Sequence, residues 1–190
     1  MVLGSHRGYS KIKKRFILLL VFIPLFLLLA SFFVYVAAQD NISDKDVAYW
    51  NENKQQIISD YKCGNLNTEI AGTLQLAENY KLPFYSSLES NKEGAFLFGD
   101  TLPGDVGRTI ILGHKEQGFY FLSKLKIGDE IIVESYNGEY KYIVSSIEIY
   151  VPSEVPLDST DKSVLTLVSK YPFMSFSLTN RRYVVEAELG

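Results

Sequence analysis

Lys170 stands at the end of a short apolar run, where the chain is expected to leave a β-strand. Residues 163–168 are mostly β-branched or aliphatic and favour a strand, whereas Pro172 lacks the amide hydrogen needed to continue the ladder. Side chains alternate between the two faces of a strand, so Lys170 shares its face with Thr166 and Val168. A lysine in this position is either a solvated cation on a sheet rim or a working residue.

Other side chains near predicted strand ends could also take part in chemistry. His114 follows an apolar run, and Arg181 and Arg182 enter the last apolar run of the chain. Each has a structural explanation when taken alone: a hydrogen-bonded histidine at a rim, or an arginine paired with a neighbouring acid. Ser169 is a candidate nucleophile, but its side chain is expected on the opposite face of the strand from Lys170.

Basic and acidic residues are unevenly distributed along the chain. Residues 1–15 carry five of the 19 Lys and Arg and no acid, and residues 16–39 carry no charge. The remaining 14 basic residues therefore face all 22 Asp and Glu, which gives residues 40–190 a formal charge of −8. This balance argues against a nucleic-acid-binding surface.

The uncharged run predicts a membrane anchor. About 20 apolar residues cross a bilayer, and a basic flank predicts a cytoplasmic N-terminus. A signal peptide cleaved after Ala38 is the alternative, although its apolar core usually has only about 7–15 residues. We therefore predict a cytoplasmic basic tail at 1–15, a transmembrane anchor at 16–38, an extracytoplasmic linker at 39–68 and a folded domain at 69–190, in a single-pass protein of the cell membrane.

The residue pattern changes from a polar linker to short apolar runs at the start of this domain. The linker is polar and could hold a short helix at 47–61, but its composition favours a spacer. It contains Cys63, the only cysteine of the chain, which we interpret as an incidental thiol. Beyond it, the pattern predicts a helical turn at 119–125, a hairpin at Asn137-Gly138 and seven strands, at 72–76, 82–86, 108–113, 130–135, 139–150, 164–169 and 183–189. Many short strands with little helix predict an all-β barrel or sandwich.

Three segments, taken in order, resemble the sortases, which are membrane-anchored cysteine transpeptidases, and most closely their class D branch. They are PGDVGRTIILGHKEQGFYFLSKLKIGD with His114, LTLVSKYPF with Lys170, and NRRYVVEAEL with Arg181 and Arg182. The first contains a Phe-x-x-Leu-x-x-Leu-x-x-Gly-Asp pattern, at Phe119, Leu122, Leu125, Gly128 and Asp129. The resemblance covers about Gly72 to Leu189.

The resemblance implies an eight-stranded β-barrel with short helices and a groove that binds a sorting-signal peptide. In that family, a cysteine attacks the peptide to form a thioester, and an amine on a second substrate resolves it. The family's histidine falls on His114 and its arginine on Arg182, with Arg181 the alternate because the register is ambiguous by one. The family's cysteine falls on Lys170.

Further positions bear on the substrate. Tyr171 and Phe173 could line the groove. Arg108 stands where class D members usually place a small polar residue, and Phe96 stands where many carry a histidine, so we name no sorting motif. No cofactor or metal is expected, since the acids Asp100, Asp105, Glu116 and Asp129 do not have the spacing of a calcium loop.

Lysine is not expected to replace the thiol. Attack by an amine on a peptide carbonyl leaves an amide that is no easier to break than the original bond, whereas a thioester stays reactive. The sequence thus predicts a catalytically impaired relative that binds a sorting-signal-like peptide or surface protein. The alternatives are an active transpeptidase or hydrolase with another nucleophile, such as Ser169 or Cys63, and a degenerate copy with no present role.

Overall fold

The chain divides into two compact units, Met1–Ile42 and Ser43–Gly190. The computed structural model describes residues 6–65, 68–77, 80–86, 94–113, 119–173 and 180–190, without the side chains of 6–21, 33, 35–43, 77 and 120. Helix α1 spans His6–Lys62 and so contributes to both units. Within the described part of the chain, no helix combines the length and the hydropathy that a membrane span requires.

Eight strands within the described ranges close into one barrel, which confirms the predicted all-β class. Neighbouring strands follow the order β1-β2-β3-β4-β7-β8-β6-β5. The β2/β3 and β4/β7 pairs are parallel, and the other pairs are antiparallel. The strands are β1 Ile70–Ala77, β2 Tyr80–Tyr85, β3 Ala95–Phe98, β4 Gly107–Gly113, β5 Glu130–Ser135, β6 Gly138–Tyr150, β7 Ser163–Tyr171 and β8 Arg181–Leu189.

Most local expectations agree with these elements. The Asn137-Gly138 turn joins β5 to β6, and the helical turn forms as a 3-10 helix at Phe119–Lys124. Strand β3 was missed, because its four residues are all apolar and show no alternation from which a strand could be predicted. Its assignment depends on hydrogen bonding to β4 and β2.

The alternation predicted for β7 separates an inner face from an outer face. Leu165 and Leu167 are fully buried in the main core, together with Val185 and Ala187 of β8. On the outer face, Val168 joins a second, smaller cluster with Ile110 and Val184. Apolar side chains therefore cover both faces of the sheet at the point where β4, β7 and β8 lie side by side.

The second part of α1 packs on the barrel, contrary to the expectation of a spacer at 39–68. The predicted helix at 47–61 forms within it, and Trp50 and Ile57, one heptad apart, are 1% and 4% exposed in the main core. The indole Nε1 of Trp50 donates to Glu134 Oε2 at 3.1 Å. The Tyr85 hydroxyl on β2 donates to Asp46 Oδ2 at 2.6 Å. The helix thus shares its hydrophobic core with the sheet.

Glu134 of β5 is held by cations from two elements. Lys81 of β2 donates to its Oε1 at 2.8 Å, and Lys54 of α1 lies 3.7 Å from its Oε2. Burial opposes ionisation of this carboxyl group, but the hydrogen bonds from Lys81 and Trp50 and the charges of Lys81 and Lys54 outweigh burial, so the pKa of Glu134 is lowered. The ionised form of Glu134 therefore makes the contacts that hold α1 against the barrel.

Glu134→Gln is expected to lower the free energy of unfolding at pH 7 by about 1–3 kcal/mol, because hydrogen bonds to a charged group are lost. A carboxylate with a depressed pKa stabilises the fold above its unfolded pKa of about 4.3, and this contribution disappears as pH falls through the folded value. The variant should accordingly lose less stability than the natural protein between pH 5 and 3. Urea unfolding at several pH values measures both effects.

Glu130→Gln on the same strand is the matched control. Glu130 pairs with Lys141 at 2.8 Å, but both side chains are largely exposed, and such surface pairs contribute little. Equal destabilisation by the two variants would show that the contacts of Glu134 do not stabilise the docked helix.

Candidate functional site

The outer face of the sheet is built from rows of cross-strand neighbours. In one row, Leu112 of β4 pairs with Val168 of β7, and Val168 pairs with Val184 of β8. In the next row, toward the end of β7, Lys170 pairs with Arg182. An apolar row and a cationic row therefore lie next to each other on the same face.

A pocket of about 170 Å³ opens on this face at the ends of β4 and β7. Its apolar wall comes from three neighbouring strands, and its charged edge comes from the cationic row. The lining residues are Phe96, Leu112, Gly113, Val168, Ser169, Lys170 and Arg182. We call this feature the outer pocket.

Lys170 and Arg182 lie together at the edge of the outer pocket. Among the described residues, neither side chain makes a salt bridge with an acid. The polar contacts of Arg182 are local: its Nη1 donates to Asn180 Oδ1 at 3.3 Å and to the carbonyl of Arg181 at 3.1 Å. Like charges on directly opposed strand positions repel each other, so a negatively charged group bound between them would relieve that repulsion.

Tyr150 of β6 extends the cationic row without neutralising it. It pairs with Arg182 across the β6/β8 ladder. A hydrogen bond to Glu148, together with burial, raises the pKa of Tyr150, so the phenol is neutral at pH 7. The row thus continues onto β6 with a neutral side chain, which is not itself a lining residue of the pocket.

Charges at the other end of the same face are satisfied among themselves. Arg108 Nη1 forms a salt bridge with Glu186 and donates to the buried hydroxyl of Thr166 at 2.7 Å, and its Nε donates to the Asp158 carbonyl at 3.0 Å. Arg108, the sequence departure noted beside Gly107, therefore serves a structural network. It leaves no free positive charge to compete with the outer pocket.

The register separates the two arginines. Arg182 shares the face of Val184 and lines the outer pocket, whereas Arg181 is exposed and pairs with Tyr171 on the alternate face. Gly113, the last residue of β4, pairs with Ser169. His114, which follows it in sequence, lies outside the described residues, so its catalytic assignment stays a prediction.

Tyr171 and Phe173 do not line the outer pocket. Their rings meet edge to face at 6.1 Å, and the Phe173 ring lies 4.9 Å from that of Tyr183, which packs against the main core. Tyr171 occupies the strand face opposite Lys170, as the alternation requires. The substrate-binding role predicted for these two residues stays a prediction.

Neither alternative nucleophile offers an exposed reactive atom to the pocket, although Ser169 is one of the lining residues. Ser169 is 1% exposed, and its hydroxyl has no hydrogen-bond partner among the described atoms, in keeping with an inward side chain. Cys63 is exposed just beyond the end of α1 and is not a lining residue. The described residues contain no cluster of three or more His, Cys, Asp or Glu that could hold a metal ion.

The apolar wall of the pocket went unassigned at the level of sequence. Of its residues, only Val168 could have been found from sequence, because it shares a strand face with Lys170. What the alternation of β7 alone does not show is which strands lie beside it. The parallel β4/β7 pairing, which brings Leu112 to Val168, supplies that information.

Together these features define the class of protein: a closed eight-stranded β-barrel with a small outer pocket beside a parallel strand pair. Residues 74–190 match the family model described as the Sortase domain. The chain belongs to the sortase family.

Solved structures of sortases share this fold. The catalytic domain of B. anthracis SrtD is 27% identical over 65% of this chain and 89% of its own, with a TM-score of 0.54. A Clostridium perfringens Sortase D5 transpeptidase is 20% identical over 79% of this chain and 99% of its own, with a TM-score of 0.65. Sortase C from Clostridium perfringens SM101 is 24% identical over 82% and 96%, with a TM-score of 0.55. No curated protein matches the chain.

Proposed function

We propose that this protein is a class D-like sortase relative that binds a sorting-signal peptide in the outer pocket without cleaving it. The single observation behind the proposal is that Lys170 occupies the edge of the pocket where the resemblance calls for the cysteine. An amine that attacked a peptide there would form a stable amide, and turnover would stop. The chain's one cysteine, Cys63, does not line the pocket.

Retained peptide binding is supported by the form of the site. Phe96, Leu112 and Val168 give the pocket an apolar wall, and Lys170 and Arg182 provide polar groups at its edge, which is the usual composition of a ligand site. A sortase C of Clostridium perfringens has been solved with the C-terminal cell wall sorting motif. A ligand of that kind is the natural candidate for this pocket.

The class and the location are parts of the same proposal. The class D assignment rests on the three sequence segments quoted above, and SrtD and Sortase D5 are among the proteins with the same fold. Anchoring in the cell membrane through residues 16–38 rests on their uncharged composition and on the basic residues before them. Residues 43–190 would then face the cell envelope.

Binding and turnover are to be measured on the full-length chain in detergent with a library of sorting-type peptides. We expect saturable binding by fluorescence polarisation, no cleavage product, and no acyl adduct in the mass spectrum of the protein. An adduct on Ser169 or Cys63 would contradict the proposal and identify an active enzyme. The absence of binding to every peptide would contradict it as well and would indicate a pocket that no longer has this role.

A further inference from the structure

We propose that the outer pocket selects peptides by their free C-terminal carboxylate, so that the bound peptide ends at the cationic row instead of running past it. This inference rests on the proposed peptide-binding function and specifies its ligand. The occupant is a short peptide whose last residue is apolar. Such a peptide is the product of a hydrolytic cleavage and not the uncleaved substrate of a transpeptidase.

The charge of the site is the first reason. Residues 40–190 carry a formal charge of −8, yet the charged lining of the pocket consists, among the described residues, of Lys170 and Arg182 alone. Several other cations of the domain are paired with acids, as Arg108 is with Glu186 and Lys162 is with Glu188 at 3.1 Å. Two neighbouring cations that make no salt bridge with any described acid favour a negatively charged ligand at this edge of the pocket.

The geometry of the cation pair suits one carboxylate. Lys170 and Arg182 are direct cross-strand partners, and the Cβ atoms of such partners lie about 4.5–5.5 Å apart. A guanidinium presents a planar fork that matches the two oxygens of a carboxylate, and the ammonium adds a second, mobile donor. A bound carboxylate would also relieve the repulsion between the two cations. A peptide bond in mid-chain carries no charge, so it would neither form these charge-assisted hydrogen bonds nor relieve the repulsion between the cations.

The apolar wall defines the residue that precedes the carboxylate. Leu112 and Val168 lie one row away from the cations, and Phe96 pairs with Leu112 from β3. A volume of about 170 Å³ accommodates one apolar side chain of ordinary size. The terminal side chain would fill this space while its carboxylate reaches Lys170 and Arg182.

The test compares two forms of the same peptides on the natural, full-length chain in detergent. Each labelled peptide ends in Val, Leu or Phe and is made as a free acid and as a C-terminal amide. We expect the free acid to bind about 10- to 100-fold more tightly at low salt, because charge-assisted hydrogen bonds are lost in the amide. The difference should shrink as salt screens the charges.

Variants assign the preference to the cation pair. Lys170→Gln and Arg182→Gln should each bring the acid-to-amide ratio toward one, because each weakens binding of the free acid more than binding of the amide. Lys141→Gln removes a lysine of β6 that pairs with Glu130, so it changes the net charge equally and should keep the natural ratio. Thermal unfolding of each variant confirms that the fold is intact.

The outcomes separate the two proposals. If acid and amide bind equally, the peptide-binding function stands and the carboxylate inference is overturned. If neither form of any peptide binds, the proposed function itself fails. If acetate or inorganic phosphate displaces the peptide at the peptide's own concentration, the pocket recognises a simple anion, and the inference is likewise overturned.

Discussion

Lys170→Cys is expected to convert a protein that does not cleave sorting-type peptides into one that does. The substitution places a thiol beside the apolar wall of the outer pocket and next to Arg182. A thiol can form the thioester that an amine cannot, and Arg182 can bind the oxyanion of the tetrahedral intermediate. Because loss of a nucleophile typically lowers kcat by about a millionfold, even a small recovered fraction would exceed background. Release of a fluorescent peptide fragment measures it.

Lys170→Ala is the matched control, since it removes the same cation and adds no nucleophile. We expect it to remain inactive and to yield no acyl adduct. Cleavage by the natural protein at a rate that Lys170→Ala leaves unchanged would refute this account of the site. If Lys170→Cys is also inert although it binds peptide, the remaining groups, including His114, do not form a catalytic set.

Trp50→Ala is expected to lower the free energy of unfolding by about 3–5 kcal/mol, which is the cost of emptying a large buried site. Trp50 is 1% exposed, and its indole donates to Glu134 across 84 residues of sequence. The truncation therefore removes both the core packing of the indole ring and its hydrogen bond to the Glu134 carboxylate. Chemical unfolding of the full-length chain, followed by far-ultraviolet circular dichroism, measures the loss.

Tyr49→Ala provides the comparison, because Tyr49 precedes Trp50 on the same helix and is 46% exposed. Its effect should stay within about 0.5 kcal/mol, as for surface substitutions in general. Trp50→Phe keeps most of the packing and loses the hydrogen bond, so it should fall between the two. Similar values for Trp50→Ala and Tyr49→Ala would mean that α1 does not contribute to the stability of the barrel.

Lys170 was singled out from the sequence, whereas Trp50 was not. The chemical peculiarity of Lys170 was visible from the family pattern, and the strand around it from composition. The role of Trp50 was not visible, because one tryptophan in a polar segment carries no strong periodicity. Its partner Glu134 comes from a distant strand, and only the folded chain brings the two together.

The sequence by itself determined the class of fold, the strands with clear alternation or a turn signal, and the division of β7 into an inner face and an outer face. These depend on local propensity and on the period of two, which are written in neighbouring residues. It also identified Lys170 and Arg182 as residues of interest, while Arg181 remained an alternate.

Only the tertiary structure decided which strands neighbour β7, that Arg182 lies opposite Lys170, and that α1 belongs to the barrel's core. It also assigned β3, which is too short and too uniformly apolar to be recognised alone. The physical reason is common to all of these. Strand pairing, register and helix docking are set by contacts between residues far apart in sequence, and propensity within a short segment carries no information about the partner it will meet.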